Sequence, residues 1–227
     1  MKRSEINKYI DQAIEIFMQG NYSLPVWATD LPEVWHTRGS QYSEIAACGL
    51  GWDITDFGKG RFEEEGLTLF TLRNGNPASG SEGKTYCEKL MLAYPNQVTP
   101  THFHWNKMED IINRSGGVLA IQLWAADKAE GLSKDSFTVK IDSVEREVKS
   151  GEIVRLLPGE SICLTPYLYH KFWAEGAPCI IGEVSKVNDD ANDNRFYESL
   201  GRFPKIEEDA PAKYLLCNEY RIGEKFN

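Results

Sequence analysis

Thr101-His-Phe-His-Trp-Asn-Lys-Met-Glu109, running on through Asp110-Ile-Ile-Asn-Arg-Ser-Gly116, is the stretch whose reading decides the fold. It holds two of the four histidines in the chain. His102 and His104 alternate at period two, so on a β-strand both imidazoles project from one face. Glu109 follows after a gap that leaves room for a tight corner and the start of a returning strand. Two ring nitrogens and one carboxylate oxygen then surround a common point. Gly116, in a Ser-Gly-Gly run, is expected to end the return strand in a turn.

Three such ligands form an incomplete shell for a divalent metal. His170, in the apolar, β-rich segment Leu164-Thr-Pro-Tyr-Leu-Tyr-His170, supplies a fourth; His36 is read as a surface or second-layer residue. A His-x-His pair alone is better read as two structural histidines on a strand. Glu109 at its spacing and a late histidine after Pro166 favour metal. The predicted ligand set is therefore His102, His104, Glu109 and His170. Three imidazoles and one carboxylate suit Mn²⁺, Fe²⁺, Co²⁺, Ni²⁺ or Zn²⁺. In an octahedral shell they leave two neighbouring positions open.

Outward from this stretch the pattern is β on both sides. Trp52 to Phe57, Leu67 to Arg73 and Thr85 to Tyr94 precede it, rich in aromatic and β-favouring residues. Val118 to Trp124, Phe137 to Ile141, Val144 to Val148, Ile153 to Leu157, Ser161 to Leu164, His170 to Ala174 and Cys179 to Ser185 follow. Short strands without intervening helices predict an antiparallel barrel or jelly roll. In Tyr86-Cys-Glu-Lys-Leu-Met-Leu, either Glu88 or Lys89 must share a face with apolar neighbours, and the pattern does not say which. Residues 4–19 predict one amphipathic helix, with Ser4 as N-cap and Gly20 as terminator. Residues 21–50, with two prolines and two tryptophans, predict an irregular arm with a short helix near Asp30 to Trp35. Residues 76–84 predict an exposed loop, and 188–195 a polar loop that is either solvated or closes over the barrel mouth. The last thirty residues predict a tail wrapped on the barrel or a neighbour.

Composition narrows the partners. The chain of 227 residues carries a formal charge of −9, which argues against nucleic acid and anionic membranes. No apolar run approaches the roughly 20 residues of a membrane span. Five scattered cysteines without Cys-x-x-Cys fit a reduced thiol set, and the amphipathic N-terminus is unlike a secretory signal, so a cytoplasmic location is expected.

His-x-His, four residues, Glu109, six residues, Gly116 resembles the first motif of the cupin superfamily. The Pro158-Gly159 turn and the Pro166 to His170 stretch resemble a looser form of the second. Nearly the whole chain, including the N-terminal helix and Glu183-Val-Ser-Lys-Val-Asn-Asp-Asp-Ala-Asn-Asp-Asn-Arg-Phe196, resembles the bacterial D-lyxose isomerase family of cupin sugar ketol-isomerases. The resemblance implies an all-β, cupin-type antiparallel β-barrel with an N-terminal helix and irregular N- and C-terminal arms. One cupin domain would span 1–227: helix and arm over 1–50, barrel over 51–187, loop and tail over 188–227. It also implies a metal-dependent aldose–ketose isomerase interconverting D-lyxose and D-xylulose, and D-mannose and D-fructose, through a metal-stabilised enediol. Mn²⁺ is the first choice of metal.

With that resemblance, Lys107 in the hairpin corner becomes an active-site residue rather than a solvent-facing turn lysine. Glu183, a carboxylate in an apolar strand, calls for a partner or a function. It is the expected carbon base, with Lys107 serving the substrate oxygen; the reverse assignment is the alternative. Asp193 and Arg195 are candidates for sugar hydroxyls, and Trp27 for the sugar's C–H face, against the alternative that Trp27 is core or interface. A homodimer is expected from the helix and tail. An Fe²⁺ cupin dioxygenase and a non-catalytic sugar-binding cupin are the competing readings.

Overall fold

The computed structural model describes residues 1–79 and 83–220. Helix α1 (Arg3–Gln19) leads into an arm holding α2 (Pro32–Arg38) and α3 (Ser43–Ala47). Eleven strands follow: β1 (Gly51–Thr55), β2 (Leu67–Arg73), β3 (Tyr86–Ala93), β4 (Thr99–Phe103), β5 (Glu109–Ala125), β6 (Phe137–Ile141), β7 (Val144–Val148), β8 (Ile153–Leu156), β9 (Ser161–Leu164), β10 (Leu168–Lys186) and β11 (Arg195–Phe196). Every pairing between them is antiparallel, in the order β1-β2-β3-β10-β5-β9-β6-β7, with β8 on β5 and β4 between β10 and β11. No helix among the described residues is long and apolar enough to cross a membrane.

Two long strands hold the architecture together. The first half of β10 pairs with the second half of β5 and with β4; its second half pairs with the first half of β5 and with β3. The register shifts between Glu175 and Cys179, opposite Gly116, so both strands bend there and serve both walls of the barrel. A single apolar core fills the interior, built from Leu67, Leu69, Met91, Ile111, Ile121, Leu156, Ile162, Phe172 and Ile181 among others.

The sheet β1-β2-β3-β10 is covered on both faces, which explains its nearly continuous apolar strands. Period-two alternation sends Leu69, Met91 and Ile181 inward, and Phe70, Leu90, Leu92 and Ile180 outward to a second core. There they meet Ile6, Ile10, Ala13 and Phe17 of α1, each fully buried. Burying each of the large side chains contributes about 1.5–3 kcal/mol. The C-terminal tail straps this helix down. Arg3, 2 % exposed, donates through Nε and Nη2 to both oxygens of Glu208 and through Nη1 to Glu219.

Several expectations need correction. Ser4 is inside α1 rather than capping it, because its N–H and hydroxyl both donate to Asp209 in the tail, while the Lys2 N–H finds Glu5 Oε2. The arm carries α2 where one short helix was expected and adds α3. The return strand does not end at Gly116 but runs on to Ala125, and the segments 170–174 and 179–185 are one strand. Glycine at 116 serves close approach instead of a turn: its φ is +100°, and a Cβ there would overlap the Pro178 carbonyl oxygen. The loop expected over 76–84 falls partly outside the described residues at 80–82, as does the end of the tail beyond 220. His36 is exposed on α2.

Gly116→Ala is expected to cost of order 1–3 kcal/mol by combining a left-handed φ with that overlap. Urea titration checks it: the midpoint falls while the slope holds, and an unchanged midpoint contradicts the close-approach account.

Candidate active site

The barrel interior turns polar at one end. His102 on β4 and His170 on β10 are direct cross-strand partners, and His104 lies just beyond the end of β4. Their ring centroids are 4.2 Å (102–170), 5.3 Å (102–104) and 5.8 Å (104–170) apart, and one nitrogen from each lies within 4.8 Å of the others. Glu109, the first residue of β5, brings Oε1 to 3.4 Å from His104 Nε2 and 3.3 Å from His170 Nε2. All four residues are at least nine-tenths buried. The predicted set therefore converges, because antiparallel pairing of β4 with β10 places side chains remote in sequence on one face.

The orientation of the rings decides what the cluster can hold. Each Nδ1 faces a backbone carbonyl: Pro100 O at 2.7 Å for His102, Asp193 O at 2.8 Å for His104, and Leu168 O at 3.0 Å for His170. A carbonyl only accepts, so each Nδ1 carries the hydrogen and each Nε2 turns a lone pair inward. Burial, followed by the other two imidazoles, holds His102 well below its ordinary range, so its ring is neutral. Burial pushes the Glu109 carboxyl up, but the Lys107 ammonium outweighs it and keeps the group ionised. Three inward lone pairs and a carboxylate in a buried pocket repel one another unless a cation sits among them. This donor set fits a divalent metal, and the carbonyl bonds are the outer contacts that orient metal-binding histidines.

Beside the cluster lies a network of opposite charges. Lys107 Nζ, 3 % exposed, is 2.8 Å from Glu109 Oε2 and 3.0 Å from Glu183 Oε1. Burial lowers the affinity of Lys107 for its proton, yet Glu109, Glu183 and Asp190 together reverse the effect and hold it as an ammonium. Burial likewise pushes Glu183 up, and Lys107 and Lys89 bring it below its ordinary range, so it stands as a carboxylate. Lys89, not Glu88, is the residue of β3 that faces inward; Glu88 is on the opposite face and pairs with Arg73.

These groups line a narrow cavity of about 50 Å³ at the polar end of the barrel. Segment 188–196 contributes Asp190, Asn194 and Phe196 to its wall, as the mouth-closing reading of that loop expects. Arg202 joins them, pairing with Asp53 at 2.5 Å and Asp190 at 2.9 Å. Arg202 and then Lys89 and Lys107 overcome the burial that would raise Asp190 and hold it well below the carboxylate range. Two buried atoms in this wall, Thr99 Oγ1 and Arg202 Nη1, have no hydrogen-bond partner among the described residues.

Three predicted sugar contacts lie elsewhere. The Asp193 carboxylate is consumed by the backbone N–H groups of Asn106 and Lys107, both at 2.8 Å, so it shapes the hairpin corner rather than the cavity wall. Arg195 turns away to Glu130 at 3.1 Å. Trp27 packs on Phe70 and Trp35 in the second core, on the far side of the sheet, which is its core alternative. Conversely, the sequence pattern names Lys89 only as the alternative to Glu88 for the inward position, and it does not mark Asp190 or Arg202 individually. Asp190 lay in a loop already suspected of covering the mouth. Nothing local distinguished Arg202, because its partners come from β1 and from the loop.

Comparison with known proteins places this geometry. The sequence profile of the D-lyxose isomerase family matches residues 1–220. A D-lyxose/D-mannose isomerase of Serratia proteamaculans is 48 % identical over 223 residues, covering 97 % of this chain and 98 % of the relative. One from Escherichia coli O157:H7 is 47 % identical over 224 residues, covering 97 % and 99 %. Among solved structures, Cellulomonas parahominis L-ribose isomerase with L-ribose aligns at a TM-score of 0.57 and 18 % identity over 91 % of this chain and 98 % of that one. Acinetobacter sp. DL28 L-ribose isomerase in complex with L-ribose aligns at 0.58 and 16 %, over 90 % and 98 %. At those identities the structures speak for a shared cupin-like fold.

Two measurements check the site. Mn²⁺ added to chelator-treated protein is expected to raise the melting temperature, a stabilisation of about 2.7 kcal/mol at a hundredfold excess over Kd. His102→Ala is expected to abolish the rise, and an equal rise in that variant contradicts the ligand assignment. Asp193→Ala, which leaves two amides at the corner unpaired, is expected to cost about 1–3 kcal/mol in denaturant unfolding.

Proposed function

The chain belongs to the D-lyxose isomerase family and is a sugar isomerase, and from that premise we propose that it interconverts D-lyxose with D-xylulose and D-mannose with D-fructose. His102, His104, Glu109 and His170 would hold the divalent metal, with Mn²⁺ the first choice for this ligand set. When bound, the ion supplies Lewis-acid polarisation of the sugar carbonyl and opposes the negative charge that builds on its oxygen.

The observation that carries the reading is the contact of Lys107 with Glu183 beside that cluster. Aldose–ketose exchange needs a base for the proton α to the carbonyl and an acid for the carbonyl oxygen. Electrostatics supports one assignment of the two roles: Glu183 is held as a carboxylate and Lys107 as an ammonium. Glu183 takes the proton from C2 while Lys107 gives a proton to O1, leaving an enediol. Lys107 then removes the O2 proton and the Glu183 carboxyl, its proton exchanging with solvent, gives a proton to C1, which yields the ketose with both residues restored. Thr99 Oγ1 and Arg202 Nη1 supply unspent hydrogen-bonding capacity for the remaining hydroxyls. The family assignment to isomerases removes the ground for the dioxygenase and non-catalytic readings.

The homodimer reading shifts its footing. The apolar face of α1 is spent on its own sheet, so exposed Met18, Val26 and Leu31 at the end of α1 and on the arm are what support a second copy.

Glu183→Gln and Lys107→Ala are each expected to lower kcat by about 10²–10⁴-fold with bound metal retained, measured by steady-state kinetics and elemental analysis. Full rate in either variant contradicts its role. With D-xylulose in D₂O, deuterium is expected at C2 of the D-lyxose formed; its complete absence favours a hydride shift from C1.

A further inference from the structure

We propose that Lys89 is a positioning residue for the isomerisation: it anchors Glu183 through Oε1 during the part of the cycle in which Lys107 serves the substrate oxygen. The inference rests on the assignment of Glu183 as base and Lys107 as acid made above, and it adds a residue that makes no contact of its own with the reacting atoms.

The geometry is specific. Lys89 on β3 and Glu183 on β10 are direct cross-strand partners, both on the face that looks into the barrel. Lys89 is 3 % exposed, and a lysine so buried costs several kcal/mol unless it is paired. Its Nζ donates to Asn188 Oδ1 at 2.6 Å and is 3.3 Å from Glu183 Oε1. The same Oε1 also takes Lys107 Nζ at 3.0 Å and the Ser185 hydroxyl at 3.0 Å. Two hydrogen bonds and the Lys89 charge act on one oxygen, which leaves Oε2 for the substrate carbon.

Lys107 cannot hold that oxygen throughout. It is shared with Glu109 at 2.8 Å, and once it has passed its proton to the sugar it is a neutral amine with a weaker grip on a carboxylate. Lys89 has no ligand among the proposed metal-binding residues and keeps its contact whatever Lys107 does. Its own place is fixed from behind. The Asn188 N–H donates to Asn74 Oδ1 at 2.9 Å, and Asn74 Nδ2 returns a bond to Asn188 O at 3.0 Å. Buried Asn74 thereby locks the residue on which Lys89 rests.

The test uses the metal-loaded full chain with Lys89→Met, Lys89→Gln, Glu183→Gln and the double variant Lys89→Met/Glu183→Gln. Both Lys89 variants are expected to keep their metal and circular dichroism, to lose about 100-fold in kcat, and to hold KM for the aldose within about threefold, since misplacing a catalytic group by an ångström has that scale of effect. The double variant is expected to match Glu183→Gln alone, because Lys89 acts through that carboxylate. The proposal is overturned if kcat survives in either folded Lys89 variant, if KM rises while kcat holds, if the double variant loses the product of both effects, or if neither Lys89 variant folds. Lys89→Gln decides the matter should Lys89→Met alone fail to fold. Full activity in Glu183→Gln would be a different failure, that of the base assignment itself.

Discussion

Three hydrogen bonds from imidazole Nδ1 to backbone carbonyls set the character of this barrel. Pro100, Leu168 and Asp193 supply the acceptors, and each is positioned by a strand or by the corner that Asp193 itself ties together. With the outer nitrogen committed, the inner one has only its lone pair to offer. Turning three such nitrogens and Glu109 into one buried space is costly in the absence of positive charge. The barrel tolerates the arrangement because β5 and β10 bend together and lend one half of each strand to each wall. The four side chains thus sit where paired strands give little freedom to move apart.

The neighbouring network works by an asymmetry of charge. Lys107 and Lys89 both reach Glu183, while Asp190 is shared between Lys89 and Arg202. Packing oppositely charged groups in a dry interior fixes their protonation more firmly than it stabilises the fold. For proton transfer along a sugar carbon chain, a defined carboxylate facing a defined ammonium is what the chemistry needs. The histidine cluster and the charged pair are joined through Lys107, which touches both Glu109 and Glu183. A change at one is therefore felt at the other.

Much of this was legible in the sequence, for identifiable reasons. Period-two spacing exposed His102 and His104, and an isolated carboxylate in the apolar run Cys179-Ile-Ile-Gly-Glu183 pointed to a buried role. What was lost depended on information that no local window contains. The inward choice between Glu88 and Lys89 follows from which face of β3 meets the barrel, fixed by pairing with β10 far along the chain. Asp193 and Arg195 share the polar composition of the cavity-facing Asp190 and Asn194, yet the backbone turns them to Asn106 and Glu130 instead. Trp27 carries the chemistry of a sugar platform but faces the helix-covered side of the sheet. Gly116 was read as a turn because Ser-Gly-Gly ordinarily is one; its use for close approach to Pro178 is visible only once β5 and β10 are side by side.

In the proposed site, four side chains from three strands and one corner surround a single cation. Anomalous diffraction from crystals equilibrated with Mn²⁺ tests it most directly. The account predicts one strong peak bounded by the Nε2 atoms of His102, His104 and His170 and by Glu109. A peak elsewhere, no peak, or a peak from which His170 turns away would contradict it.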